Sequence, residues 1–187
     1  LLLVRSFTEG PRGADYVRYR RLLVPLDGSR RAECALPIVH RIADKHGASL
    51  LLAHVVRLPE VPHRLPLSEE EQRIVDGLGA LAHRHATAYL DGLGGDLMNA
   101  GRQVSIHVLD GEDPATLLEE LAARKDVDLI VMSAHGATGS TRRPFGAITE
   151  KCLLYGSRPM LVVQDRSCEE IEPSPARSAA HEQAGHS

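Results

Sequence analysis

Short, nearly unbroken aliphatic runs alternate along the chain with longer stretches in which apolar residues return every third or fourth position. Residues 22–26, 49–56, 104–109, 129–132 and 160–163 have strand length, and several are apolar almost throughout, as strands covered on both faces are. Between them, Ala32, Ala35, Leu36, Val39, Ile42 and Ala43 follow helical spacing, with Ser29 placed to cap the start and Lys45-His46-Gly47 to end it. Pro37 should bend this helix. A second helix is expected from Ser68, whose Glu71 completes a capping box, through Ile74, Leu78, Leu81 and Leu90 towards Met98, weakened by Gly77 and Gly79. A third starts at Asp113-Pro114 and carries Leu117, Leu118 and Leu121, and a fourth follows Gly146 and stops near Tyr155-Gly156. Strands and helices thus alternate, and right-handed crossovers turn that order into an α/β three-layer sandwich around a five-stranded parallel sheet.

Composition narrows the class. A length of 187 residues suits one domain with extensions, and 43% apolar against 25% charged residues, without a long apolar run, excludes both a disordered chain and a membrane span. The formal net charge of −3 removes the broad basic surface that nucleic acid or an anionic membrane would require. No Trp and only two Phe and four Tyr make the core aliphatic and leave few platforms for stacking bases. Cys34, Cys152 and Cys168 are far apart and odd in number, which suggests a reducing, cytoplasmic setting rather than a disulfide framework. Cys152 should pack as a buried hydrophobe.

The pattern divides the chain into an extension over 1–17, a domain over 18–165 and a polar, Pro- and Glu-containing tail over 166–187 that is expected to be disordered. Leu2-Leu3-Val4-Arg5-Ser6 repeats the character of Leu161-Val162-Val163-Gln164-Asp165, so the extension reads either as a chance aliphatic run or as the end strand of a preceding repeat.

Several chemistries lack their motifs. No Gly precedes a Lys, so GxxxxGK[ST] is absent, as are HExxH, GxSxG and SxxK. Gly92-Leu93-Gly94-Gly95 follows a helical stretch instead of a strand and reads as a helix end. His83 and His85, two apart, point to different helix faces and make a poor metal pair.

What remains is Ser133-Ala134-His135-Gly136, nine residues, then Gly146-Ala147-Ile148-Thr149. A strand running through a small-residue loop into a helix start is the arrangement in which backbone N–H groups and the helix dipole cradle phosphate. Asp27, in Pro25-Leu26-Asp27-Gly28-Ser29, would emerge at the same sheet edge, either as a ligand group or as a cap for the helix after Ser29. Open α/β sheets bind ligands at that edge. As an exposed group, Asp27 should be replaceable by Ala within about 1 kcal/mol of stability.

Residues 18–164, with their opening LLVPLDGS, the strand Leu52-Ala53-His54-Val55-Val56 and the DLIVMSAHG and LVVQ segments, resemble the universal stress protein family. The resemblance implies strand order 3-2-1-4-5 and, from the nucleotide-binding branch, a motif G-x2-G-x9-G-[S/T]. Here Ser133 and Ala147 stand at two of its four fixed positions. Carried over, the resemblance places Pro25 and Asp27 beside adenine and ribose and lets Val55 offer backbone groups to adenine. It also lines ribose and phosphates with Met132, Ser133, His135 and Gly136, and turns Gly146, Ala147, Ile148 and Thr149 towards the phosphate tail. Ser133 adds a small side chain that could donate a hydrogen bond. Ala147 lacks a hydroxyl donor, a deficit of about 1.5–3 kcal/mol towards a charged group. Arg142 and Arg143 read as a solvated loop pair or as compensating charge. His135 could simply hold the loop together.

The expectation is therefore a universal stress protein domain, the C-terminal member of a tandem pair. It binds an adenine nucleotide weakly, ATP with or without Mg, as a regulatory stress-response module and not an enzyme. The alternatives are a nucleotide-free dimerisation or partner-binding domain and, third, a slow ATP hydrolase. A homodimer or tandem pseudo-dimer through the fifth strand is the expected assembly, because residues 160–163 would otherwise form a bare apolar edge. No nucleic-acid or membrane partner is expected.

Overall fold

The computed structural model describes residues 1–3, 18–57, 68–137 and 143–164. The expected disordered tail, Cys168, Arg142 and most of the extension lie outside the described residues.

The strands are β1 (Leu2–Leu3), β2 (Arg21–Pro25), β3 (Ser49–Val56), β4 (Val104–Asp110), β5 (Leu129–Ser133) and β6 (Met160–Val163). The helices are α1 (Arg30–Glu33), α2 (Leu36–His46), α3 (Glu69–Asn99), α4 (Pro114–Arg124) and α5 (Ala147–Tyr155). One sheet runs β1-β6-β5-β2-β3-β4, and all its pairings are parallel except that of β1 with β6. The expectation of a five-stranded, purely parallel sheet is thus corrected to a six-stranded mixed one, in which the parallel strands lie in the order β4-β3-β2-β5-β6.

Alternation along each central strand divides the core between two faces. Leu22 and Val24, Leu50 and Leu52, and Leu129 and Val131 pack with Val39 of α2 and Leu90 and Leu97 of α3. Leu23, Leu51, Ile130 and Met132 point the other way, onto Leu118 and Leu121 of α4 and Cys152 of α5. Every residue of β5 is buried. Burial also raises the Cys152 thiol pKa to about 12, so it stays protonated and behaves as a hydrophobe.

Two local expectations change. The helix anticipated from Ala32 is split into α1 and α2 ahead of Pro37, which lies in the first turn of α2, where its missing N–H removes no helical bond. Gly92-Leu93-Gly94-Gly95 does not end a helix but lies inside α3. A Cβ at Gly94 would meet Ile106 Cδ1 at 2.9 Å, so this glycine lets α3 lie close on β4.

The β6 edge is covered from within the chain. Leu2 pairs with Leu161 and Leu3 with Met160, while Val162 N–H donates to the Leu1 carbonyl at 2.7 Å. Pairing of β6 with another domain therefore requires β1 to leave. Deleting residues 1–3 re-exposes four apolar residues with free backbone groups, and sedimentation should then show self-association or lost solubility. An unchanged mass and solubility would show that β1 protects nothing.

Candidate functional site

β2 and β5 are parallel neighbours, with Leu22 opposite Leu129 and Leu23 opposite Ile130, so their C-terminal ends emerge side by side. From this pair the chain builds outward in both directions, to β3 and β4 on one flank and β6 on the other, which opens a crevice above the strand ends. A cavity of about 690 Å³ fills it. All eleven residues singled out in the sequence border it: Pro25, Asp27, Val55, Met132, Ser133, His135, Gly136, Gly146, Ala147, Ile148 and Thr149.

Asp27 turns out to serve the protein itself as well as the cavity. Its Oδ1 accepts from Ser29 N–H at 3.0 Å and Ser29 Oγ at 2.6 Å, and Ser29 Oγ in turn accepts from Ala32 N–H at the start of α1. Its Oδ2 accepts from Ala137 N–H at 2.7 Å, 110 residues on in sequence. One carboxylate thus ties the end of β2 to the loop after β5. Gly136 is part of the same contact, because a Cβ there would overlap Asp27 Oδ2. The expectation that Asp27→Ala costs under 1 kcal/mol is accordingly revised to about 1–2 kcal/mol, since three hydrogen bonds to a charged but exposed group are lost.

The loop after β5 is held by its own polar groups. Ser133 and Thr149 are 4% and 3% exposed, and a hydroxyl so deeply buried needs an acceptor. Ser133 Oγ donates to the His135 carbonyl, and Thr149 Oγ1 donates to the Ser133 carbonyl at 3.1 Å. Both hydroxyls are therefore spent inside the protein, and neither is presented to a phosphate. His135, 3% exposed, donates from Nε2 to the Arg143 carbonyl at 2.8 Å, which braces the two ends of the loop.

Gly146 donates its N–H to the Ala134 carbonyl at 2.8 Å and caps α5 without a side chain, so no side-chain acceptor from that position covers the first-turn amides. Ala147 and Ile148 carry those amides at the cavity wall. The start of the nine-residue α5, with its backbone donors and the positive end of its dipole, therefore lies at the cavity wall.

Sequence reasoning left out His54, Arg57 and Phe145 of the wall, while Arg143, open until now between a solvated loop residue and compensating charge, borders the cavity. The signal for His54 was present, as an imidazole interrupting an apolar strand. Its Nδ1 is buried with no hydrogen-bond partner among the described residues, and burial lowers its pKa against the opposing pull of Asp27, which favours the neutral ring. Beside it, Tyr89 donates to Glu33 Oε1 at 2.9 Å, and burial followed by that bond pushes the phenol pKa upward. At the start of α4, Asp113 accepts from Lys151 Nζ at 2.6 Å, the main reason its pKa falls to about 2.

The family model of the universal stress protein family matches residues 18–164, most of the chain and all of the parallel sheet. The chain belongs to the universal stress protein family. Universal stress protein MJ0577 of Methanocaldococcus jannaschii is 24% identical over 160 residues, 81% of this chain and 98% of that protein. Its solved structure superposes with a TM-score of 0.67, covering 81% of this chain and 99% of the other. UspA from Lactobacillus plantarum gives the same TM-score of 0.67 at 21% identity, covering 81% and 100%. A family protein of Arabidopsis thaliana, solved with AMP bound, gives 0.54 at 17% identity, covering 84% and 99%. These likenesses show a common fold, and among the described residues no helix is long and apolar enough to cross a membrane.

Proposed function

We propose that the cavity binds an adenine nucleotide, ATP in the leading reading, and that this universal stress protein acts as a cytoplasmic nucleotide-responsive module in a stress response. The observation that carries the reading is the convergence of the β2 end, the β5 loop and the uncapped start of α5 on one cavity, whose volume lies within the range of small-molecule sites. A family relative solved with AMP supports it. Adenine and ribose would lie against Pro25, Asp27 and Val55, with the phosphates over Gly136, Gly146 and the amides of Ala147 and Ile148. Mg would arrive on the phosphates, since the described residues hold no group of three metal-ligating side chains.

Turnover is not part of the proposal. Among the described residues the carboxylate on the cavity wall is that of Asp27, and it already accepts three hydrogen bonds that tie β2 to the loop after β5, so it does not stand as a general base directed at a phosphate. A nucleotide-free interaction module is the second reading, favoured by Ala147 and by the inward turn of the Ser133 and Thr149 hydroxyls.

Denaturing the purified chain and analysing the supernatant, together with calorimetric titration with ATP, AMP and adenosine, separates the two. The first reading expects binding that strengthens from adenosine to ATP. No heat with any of the three at millimolar concentration would leave the second.

A further inference from the structure

Histidines apart, three charged side chains border the cavity among the described residues: Asp27, Arg57 and Arg143. The carboxylate is met from within, since both of its oxygens accept from Ser29 or Ala137. The two arginines are not matched in this way, because no ion pair among the described residues includes either of them. Both residues are exposed, so hydration alone keeps them stable. Their chemical interest lies in bordering one cavity from two different sides.

Arg57 follows directly on β3, whereas Arg143 comes three residues before Gly146 and the start of α5, where His135 holds its carbonyl. β3 and β5 flank β2, so at about 4.8 Å per strand their ends stand about 10 Å apart. Arg143 therefore belongs with the amides of Ala147 and Ile148. Phosphates seated there leave the flank of Arg57 and Val55 to base and sugar, neither of which uses a cation. A phosphate on the sugar does, because the planar guanidinium fork matches phosphate oxygens bidentately. In dinucleotide-binding α/β sheets an acidic side chain reads a free ribose hydroxyl, whereas an arginine nearby accommodates a ribose phosphate. The acid at this edge, Asp27, has both oxygens engaged, and the residue that follows β3 is an arginine.

We infer that, granted the nucleotide reading on which this rests, the cavity favours an adenine nucleotide phosphorylated on its ribose as well as at its 5′ position, and that Arg57 selects the ribose phosphate. Arg143 and the start of α5 serve the 5′-phosphates, which every adenine nucleotide carries, and Arg57 discriminates among them. A ribose phosphate near Asp27 also meets that negative charge, which the Arg57 guanidinium offsets.

ADP and adenosine 3′,5′-bisphosphate decide the point, because they contain the same atoms and differ in where the second phosphate sits. Calorimetric titration of the full chain with AMP, ADP and the 2′,5′- and 3′,5′-bisphosphates of adenosine should show one bisphosphate binding about ten-fold or more tightly than ADP, the gain from one charge-assisted contact. Arg57→Gln should abolish that ratio, and Arg57→Lys, which keeps the charge without the fork, should restore only part of it. Arg143→Gln should weaken all four ligands and keep the ratio. Arg57 belongs to neither core cluster, so the thermal midpoint of the Arg57 variants without ligand should match that of the wild type. ADP binding as tightly as both bisphosphates, or a ratio that survives Arg57→Gln, would overturn the inference and leave nucleotide binding standing. No heat with any of the four would overturn both together.

Discussion

Gly136→Ala should destabilise the protein by about 1–3 kcal/mol and abolish nucleotide retention, a large effect for one methyl group. The added Cβ has to occupy the space of Asp27 Oδ2, and the neighbouring backbone cannot yield easily, because Ala137 N–H is bound to that same oxygen. Either the carboxylate swings away, which releases the Ser29 and Ala137 bonds, or the loop after β5 lifts from the sheet edge. Both outcomes spoil the cavity. A double-mutant cycle in urea identifies the cause: with Asp27 already replaced by Ala the obstacle is gone, so Gly136→Ala should cost far less there than in the wild type. Equal costs in both backgrounds would show that the glycine is required for some other reason, such as the path of its own backbone.

The Asp27–Gly136 contact also shows where sequence reading stops. The parallel strands and the helices between them were legible because burial imposes a period of two or 3.6 on the residues that make them, whereas strand ends and a glycine-bounded loop pointed to the site's edge and the family resemblance supplied the eleven candidate residues. What periodicity does not carry is a partner. Nothing local to Pro25-Leu26-Asp27 says that its carboxylate meets an amide 110 residues away, so a group that reads as exposed is also a tie between two loops. The same holds for Ser133 and Thr149, which look like donors to a ligand until burial obliges them to donate to carbonyl oxygens of their own loop. Gly94 was misread for the converse reason: three glycines in four residues look like a stop, but one of them is the close approach between α3 and Ile106. In α3 the apolar spacing correctly marks a helix, and only its length relative to the sheet reveals that part of its apolar face meets solvent.

Ala147→Ser should tighten ATP binding about ten-fold or more, the gain expected from one added hydrogen bond to a charged group. Position 147 is the first residue of α5 and borders the cavity, and no side chain caps this helix start, so a hydroxyl there joins backbone donors already directed at the same volume. The two native hydroxyls nearby cannot substitute for it, since Ser133 and Thr149 are both engaged within the protein. Because the new donor acts on the phosphate end, the gain should be large for ATP, smaller for AMP and absent for adenosine, while the urea midpoint without ligand stays close to that of the wild type. Calorimetric titration of both forms with the three ligands decides the point. A gain of equal size for adenosine would mean that the serine acts by reshaping the cavity, and no gain for ATP would mean that its phosphates do not reach the start of α5.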